Sequence, residues 1–248
     1  MFRFISSIYN YAYLCLLSRD FFKLSQKKSL DNDDINEFVK KIIPYIRSSG
    51  CVCIKFCQWV TPILDNVYNT HNENPQWLQT LEEFYEDCSE HSIDHTLTMY
   101  KQDFKENLNE SYEIIDIIGS GSIGQVYKIR DRISNEYLAM KVLHPYVHYD
   151  MILFRYILYF IYSIPYFNHI LFQLLPINLV ECMDLFETQL DMINESNNLC
   201  QFNYNYKDNQ MILIPDLIKC SPNIIIMSYI EGTIFDKSSI SDYEKMKL

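Results

Sequence analysis

Three glycines and one lysine carry the chemistry that stands out most in this chain. Gly119, Gly121 and Gly124 are spaced Gly-x-Gly-x-x-Gly inside IIDIIGSGSIGQVYKI, and Lys141 follows in YLAMKVLHP. Glycine lacks the Cβ that keeps a backbone amide away from a bulky anion. A turn of this kind therefore lets N–H groups approach phosphate oxygens, while a nearby lysine adds a point charge. The glycine spacing alone is a weak signal, because dinucleotide-binding units and ordinary turns share it. In a dinucleotide unit the third glycine opens a helix. Here Gly124 leads into Gln125, Val126, Tyr127, Lys128 and Ile129, which show no helical stripe and run into a turn at Ser134 and Asn135. The segment reads as strand, turn, strand, closing with Tyr137 to Val142. A plain β-hairpin with a snorkelling surface lysine is the competing reading of the loop taken by itself.

The closing strand keeps Ala139 and Lys141 at the Ala and Lys positions of the Val-Ala-Ile-Lys pattern of protein kinases. In that pattern the lysine grips phosphates, and Val126 and Ala139 roof the adenine. Other segments narrow the comparison. Lys55-Phe56-Cys57-Gln58 lies upstream, SIGQVYK and KVLHP lie in the middle, and Gln189-Leu190-Asp191 precedes Glu195 in QLDMINESNN. Together these resemble the UbiB-type atypical kinase family, whose members act in coenzyme Q biosynthesis and in mitochondrial or plastid lipid homeostasis. The resemblance runs in order from near Tyr45 to the end of the chain.

The resemblance implies an α+β fold: a kinase-like N-lobe with a five-stranded antiparallel sheet and an αC-type helix, an N-terminal helical extension, a helical insert, and no C-lobe. The implied division is a helical segment over 1–44, an extension over 45–110 carrying the Lys-x-x-Gln motif, and the lobe over 111–248 with its insert at about 150–176. It also implies roles. Gly119, Ser120, Gly121, Ser122, Ile123, Gly124, Gln125, Val126, Ala139, Lys141, Met227 and Ile230 would surround a nucleotide. Met227 would guard the back of the adenine pocket, and Ser228 to Gly232 would form the hinge. Glu195 would pair with Lys141. Lys55 and Gln58 would close a lid against the family's Glu-x-Asp motif, which here reads Gln189-Leu190-Asp191. Glutamine at 189 accepts a hydrogen bond but forms no ion pair, so the lid contact is expected to be weaker. Asp191, one turn before Glu195, would present a second carboxylate to the cleft. The family's alanine-rich loop is replaced by Gly119-Ser120-Gly121, which makes ATP the plainer expectation.

Phosphoryl transfer also needs a catalytic-loop Asp, an Asn and an Asp-Phe-Gly aspartate to hold magnesium. His148-Tyr149-Asp150 imitates the first without the Asn at its spacing, and Asp103-Phe104-Lys105 imitates the last but lies upstream of the glycine loop. Both read as decoys. The chain is therefore expected to be the N-terminal part of a kinase-like protein, or a split or decayed copy. Magnesium would be bound only if a C-terminal lobe came from elsewhere as a separate chain. Two functions remain open. One is phosphoryl transfer or ATP hydrolysis linked to quinone or lipid metabolism. The other is a pseudokinase or interaction module that binds nucleotide without catalysis.

Composition bounds the partners. Hydrophobic residues make up 48% of the chain, enough for one or two small cores, and the net charge of -11 argues against a nucleic-acid surface, which needs a basic footprint. Eight cysteines are scattered along the chain. Cys51, Cys53 and Cys57 lack a histidine or a second cysteine pair at finger spacing, so no metal site is read and the thiols are expected to be reduced and mostly buried in a reducing compartment, cytoplasmic or organellar. Residues 1–30 are apolar and aromatic, and read as a packing helix first and a targeting stretch second. Helices are expected at 31–48, 52–68, 75–88 and 92–108. The apolar insert MILFRYILYFIYSIPYFNHILFQLLPINLV is broken by Arg155, Pro165, Asn168 and Pro176 into pieces shorter than a bilayer requires, so two packed helices are favoured, with peripheral lipid contact left open.

Overall fold

The alternation of residues from 112 to 143 builds the centre of the fold. In a strand, successive side chains point to opposite faces. β1 (Tyr112–Ser120), β2 (Gly124–Asp131) and β3 (Tyr137–Leu143) form an antiparallel meander, and β4 (Leu217–Cys220) and β5 (Ile224–Ser228) complete a five-stranded sheet in the order β1-β2-β3-β5-β4. The computed structural model describes residues 32–68, 76–86, 90–164 and 179–232, with residues 9, 10, 13 and 20. The turn between β2 and β3 falls where Ser134 and Asn135 predict it. The Asp131 carboxylate accepts from the N–H groups of Ile133 and Ser134, and Asn135 takes the left-handed conformation at φ 61°.

Helices cover both faces of the sheet. α1 (Asn32–Ser48), α2 (Cys51–Tyr68), α3 (Gln76–Glu86) and α4 (Ile93–Phe104) precede it, with a short turn, α5 (Leu108–Ser111), at the start of β1. After β3 come α6 (Val147–Ser163), α7 (Leu179–Thr188) and α8 (Met192–Tyr206). One sheet face buries Tyr127, Ile129, Leu138, Met140, Val142, Ile224 and Ile226 against Tyr100 of α4 and Leu108 of α5. The other face carries α8, whose Met192 packs with Leu143 and Ile225. A separate core joins Val52, Cys53 and Ile54 of α2 to Met151 and Phe154 of α6 and to Met183 and Phe186 of α7, with Ile123 from the glycine turn inserted among them. The helical extension is thus packed onto the tip of the glycine hairpin.

Two boundaries and the burial of the cysteines differ from the sequence reading. The helix expected over 92–108 stops at Phe104, because Lys105 turns left-handed at φ 62° and donates its N–H back to Lys101. The helix of the insert begins at Val147, just after Tyr146 at φ 67°, rather than near 150; residues 165–178 lie outside the described residues, as does most of 1–30. The cysteines are less buried than expected: of those described, Cys53 is buried, Cys51, Cys57 and Cys220 are half-buried, and Cys200 is exposed. Among the described residues no helix is long and apolar enough to cross a membrane.

Candidate functional site

Register decides what Lys141 can meet. Val126 pairs with Lys141 across β2 and β3, and Ala139 pairs with Met227 across β3 and β5. Lys141 and Ala139 are two residues apart on one strand, so Val126, Ala139, Lys141 and Met227 share one face. This is the face toward α8. Asp191 starts that helix as its N-cap, its carboxylate accepting from the Ile193 N–H at 2.9 Å, and Glu195 follows in the first turn. The Lys141 ammonium then reaches both carboxylate oxygens of Glu195, at 2.7 and 2.6 Å. The pair is only partly enclosed, with 21% and 38% of the two side chains exposed, so water and a ligand can both reach it.

The glycine turn lies at the end of the same hairpin. Gly121 donates its N–H to the Gly124 carbonyl at 3.0 Å, closing the turn. The three glycines are not equivalent. A Cβ on Gly124 would lie 2.8 Å from the Val142 carbonyl, so glycine is required there by the close approach of β3. A Cβ on Gly119 would meet nothing within 4 Å, and one on Gly121 only the Gly124 carbonyl at 3.7 Å. These two positions leave open space beside the backbone.

α2 brings the lid motif to the turn. Gln58 accepts a hydrogen bond from the Ser122 hydroxyl at 3.0 Å, a contact spanning the helical extension and the glycine hairpin. Lys55 lies one turn earlier on α2 and is half-buried. Gln189 and Asp191 sit in the connection from α7 to α8, next to Leu190, which is buried in the core that α2 shares. Asp191 holds its helix cap, which corrects the expectation that it presents a second carboxylate from one helix face alongside Glu195.

Behind the turn, on the face toward α4, lies a chain of neutral polar groups. The His91 N–H donates to Gln125 Oε1 at 2.8 Å, and Gln125 Nε2 donates to the Tyr127 hydroxyl at 2.8 Å. Tyr127 and Thr96 hydroxyls lie 2.7 Å apart, and Thr96 Oγ1 is 2.9 Å from His91 Nε2. His91 Nδ1 is 2.8 Å from His144 Nδ1, and His144 Nε2 is 2.9 Å from the Gly121 carbonyl. Burial, with His144 and His95 nearby, pushes the His91 pKa down to about 4; burial also lowers that of His144, against the pull of the Gly121 carbonyl.

The profile of the ABC1 atypical kinase-like domain matches residues 83–248, more than half of the chain. The chain belongs to that family. Among solved structures it is similar to Rv3197 of Mycobacterium tuberculosis, described in complex with erythromycin, at 19% identity and a TM-score of 0.45, over 59% of this chain and 38% of that one. The chain thus spans well under half the length of that relative. No curated protein matched.

Within this ABC1 domain, Gln125 and Ile123, like Ser122 with its bond to Gln58, use side chains from the expected nucleotide set otherwise. Gln125 is fully buried on the face opposite Lys141, tied to Tyr127 and His91. Ile123 is buried in the core with α2, α6 and α7. Ser120 pairs with Gln125 at the end of β1 and Ser228, whose hydroxyl accepts from the Asp216 N–H at 2.9 Å, pairs with Leu138, so both fall in register with the face toward α4, and Ile230 is exposed beyond β5.

The two decoy aspartates have framework roles. Asp103 accepts from the Ser221 hydroxyl at 2.6 Å and from the Asn223 amide at 3.2 Å, tying α4 to the β4–β5 turn. Asp150 is buried against Gly50 at the start of α2: a Cβ there would lie 2.5 Å from its carboxylate, and Gly50 sits at φ 103°. His91 and His144 were missed by sequence reasoning. KVLHP drew attention for its lysine, and nothing in the spacing joins His144 to a histidine more than fifty residues earlier.

Proposed function

We propose that this ABC1 domain binds ATP between the glycine hairpin and the Lys141–Glu195 pair. The observation that carries the reading is the Lys141 ammonium closed on both oxygens of Glu195, on the sheet face shared with Val126, Ala139 and Met227. A lysine oriented by a helix carboxylate is the device kinases use to hold α and β phosphates. The adenine would lie against Val126, Ala139 and Met227, and the phosphates beneath Gly119 to Gly121, where the backbone has open space beside it. Gln58, bonded to Ser122, ties α2 to the loop as a lid would. The UbiB-type resemblance supports quinone or lipid metabolism as the setting. On α6, Ile152, Tyr156 and Phe160 form an exposed apolar stripe, which supports peripheral lipid contact; co-sedimentation with phosphatidylcholine vesicles, compared with Ile152→Lys, tests it.

The test of nucleotide binding is a thermal shift with ATP, with and without magnesium, on the full chain and on Lys141→Met. A rise in melting temperature for the wild type that Lys141→Met loses supports the reading. No rise in the wild type ends it. A second reading, binding without phosphoryl transfer, is supported by Asp103 and Asp150, whose carboxylates serve the framework. Phosphate release from bound ATP separates the two: bound nucleotide with no turnover favours the non-catalytic form.

A further inference from the structure

With both rings neutral, the histidine hydrogen bonds behind the glycine turn run in one direction, with backbone groups at both ends. At one end the His91 N–H must donate, so Gln125 presents Oε1 to it and turns Nε2 toward the Tyr127 hydroxyl. At the other end the Gly121 carbonyl can only accept, so the His144 proton sits on Nε2. A neutral His144 then has a bare Nδ1, and the His91 proton must sit on Nδ1 to donate across the 2.8 Å gap. That leaves His91 Nε2 to accept, from the Thr96 hydroxyl at 2.9 Å or the Tyr127 hydroxyl at 3.3 Å. Every donor has an acceptor; a second proton on His144 Nδ1 would face the His91 Nδ1 proton, and one on His91 Nε2 would oblige the Thr96 hydroxyl to turn from donor to acceptor.

His144 holds the turn twice, since its backbone N–H also donates to the Ile123 carbonyl at 2.9 Å. A trans peptide points its C=O and the following N–H in opposite directions. Drawing the Gly121 carbonyl toward His144 therefore turns the Ser122 N–H the other way. We propose that His91 and His144 are positioning residues for the nucleotide: the neutral, directional pair fixes the Gly121–Ser122 peptide so that its N–H is presented to a phosphate. The inference rests on the ATP reading for its ligand, but the brace itself is testable without one.

Nitrogen-15 NMR of the wild-type imidazoles reads the brace directly. His91 is expected as the Nδ1–H tautomer and His144 as the Nε2–H tautomer, with scalar coupling between the two Nδ1 atoms; the reverse tautomers, or mobile rings, would overturn the proposal. The same chain with His91→Phe keeps a ring but no donor. Its Gly121 and Gly124 amides are expected to exchange on the order of ten times faster, and its ATP affinity to fall by about tenfold, the usual scale for one lost hydrogen bond. Adenosine, which has no phosphate, is expected to bind both proteins equally. Equal losses for ATP and adenosine would mean a general loosening of the fold, and unchanged loop exchange would mean that the pair braces nothing. If the wild type binds no ATP, the nucleotide reading fails while the tautomers and the exchange rates still judge the brace.

Discussion

The two faces of the sheet hold their polar groups by opposite means. Toward α8, full charges on Lys141 and Glu195 meet where solvent still reaches them. Toward α4, with Thr96 and Gln125 fully buried, the groups are neutral and each is satisfied by the next. The difference follows from desolvation. A charge is costly to bury and cheap to keep at a cleft edge, whereas neutral donors and acceptors can be enclosed when all are paired. Charge is therefore kept where a ligand can use it, and closed neutral chains are kept where the fold needs rigidity.

The largest expected effect separates the faces by ligand binding. Lys141→Met is expected to weaken ATP by roughly 100-fold through loss of a charge-assisted contact, yet to change stability by less than about 1 kcal/mol, because the ion pair is partly exposed. Calorimetric titration and chemical denaturation together check this, and a large loss of stability would erase the contrast. Thr96→Val works from the other side. It leaves His91 Nε2 and the Tyr127 hydroxyl only their longer mutual contact at 3.3 Å, and is expected to cost about 1 kcal/mol in denaturant unfolding while leaving adenosine affinity unchanged.

The glycines sharpen the comparison inside one turn. Gly124→Ala forces a methyl against the Val142 carbonyl and should cost about 1–3 kcal/mol, whereas Gly119→Ala should stay within ~0.5 kcal/mol. Melting curves of the two variants measure the difference, and equal values would contradict the close approach of β3.

The smallest effect is in pH. Folded His91 and His144 both have lowered pKa values, so between the ordinary histidine value and about 4 the unfolded chain binds protons that the folded chain refuses. Stability is therefore full above pH ~7 and falls as the pH drops from about 6.5 toward 4. His95, Tyr127 and Glu90 are the other titratable groups beside the pair. Asp131 and Glu106, whose carboxyls are lowered by the Ser134 and Ile133 N–H groups and by Lys219, extend the decline at lower pH. His91→Phe should flatten the curve between pH 6.5 and 4.5 relative to the wild type.

Much of the cleft face was legible in the chain because its signals are local. Glycine spacing, alternation in β2 and β3, and a turn at Asn135 each act within a few residues, and the sheet follows from them. The histidine brace was not legible, since His91, Gln125 and His144 come from three separate elements and none carries a spacing rule. Asp191 shows the same limit at short range. Its sequence distance from Glu195 fits one helix face, but a residue at the N-cap has non-helical backbone and turns its carboxylate to the helix amides instead. Helix ends also escaped, as at Lys105, because a left-handed residue other than glycine leaves no mark in composition.

Residue order by itself determined that a glycine hairpin is followed by a lysine strand and, far downstream, by a glutamate in a helix. Side-chain alternation and backbone turns are properties of neighbouring residues, so they can be read along the chain. Only the folded structure decided that Glu195 closes on Lys141, that Gln58 reaches Ser122, and that His144, backed by His91, meets the Gly121 carbonyl. Those contacts join residues brought together by the packing of helices on the sheet, and no pattern of neighbouring side chains announces them.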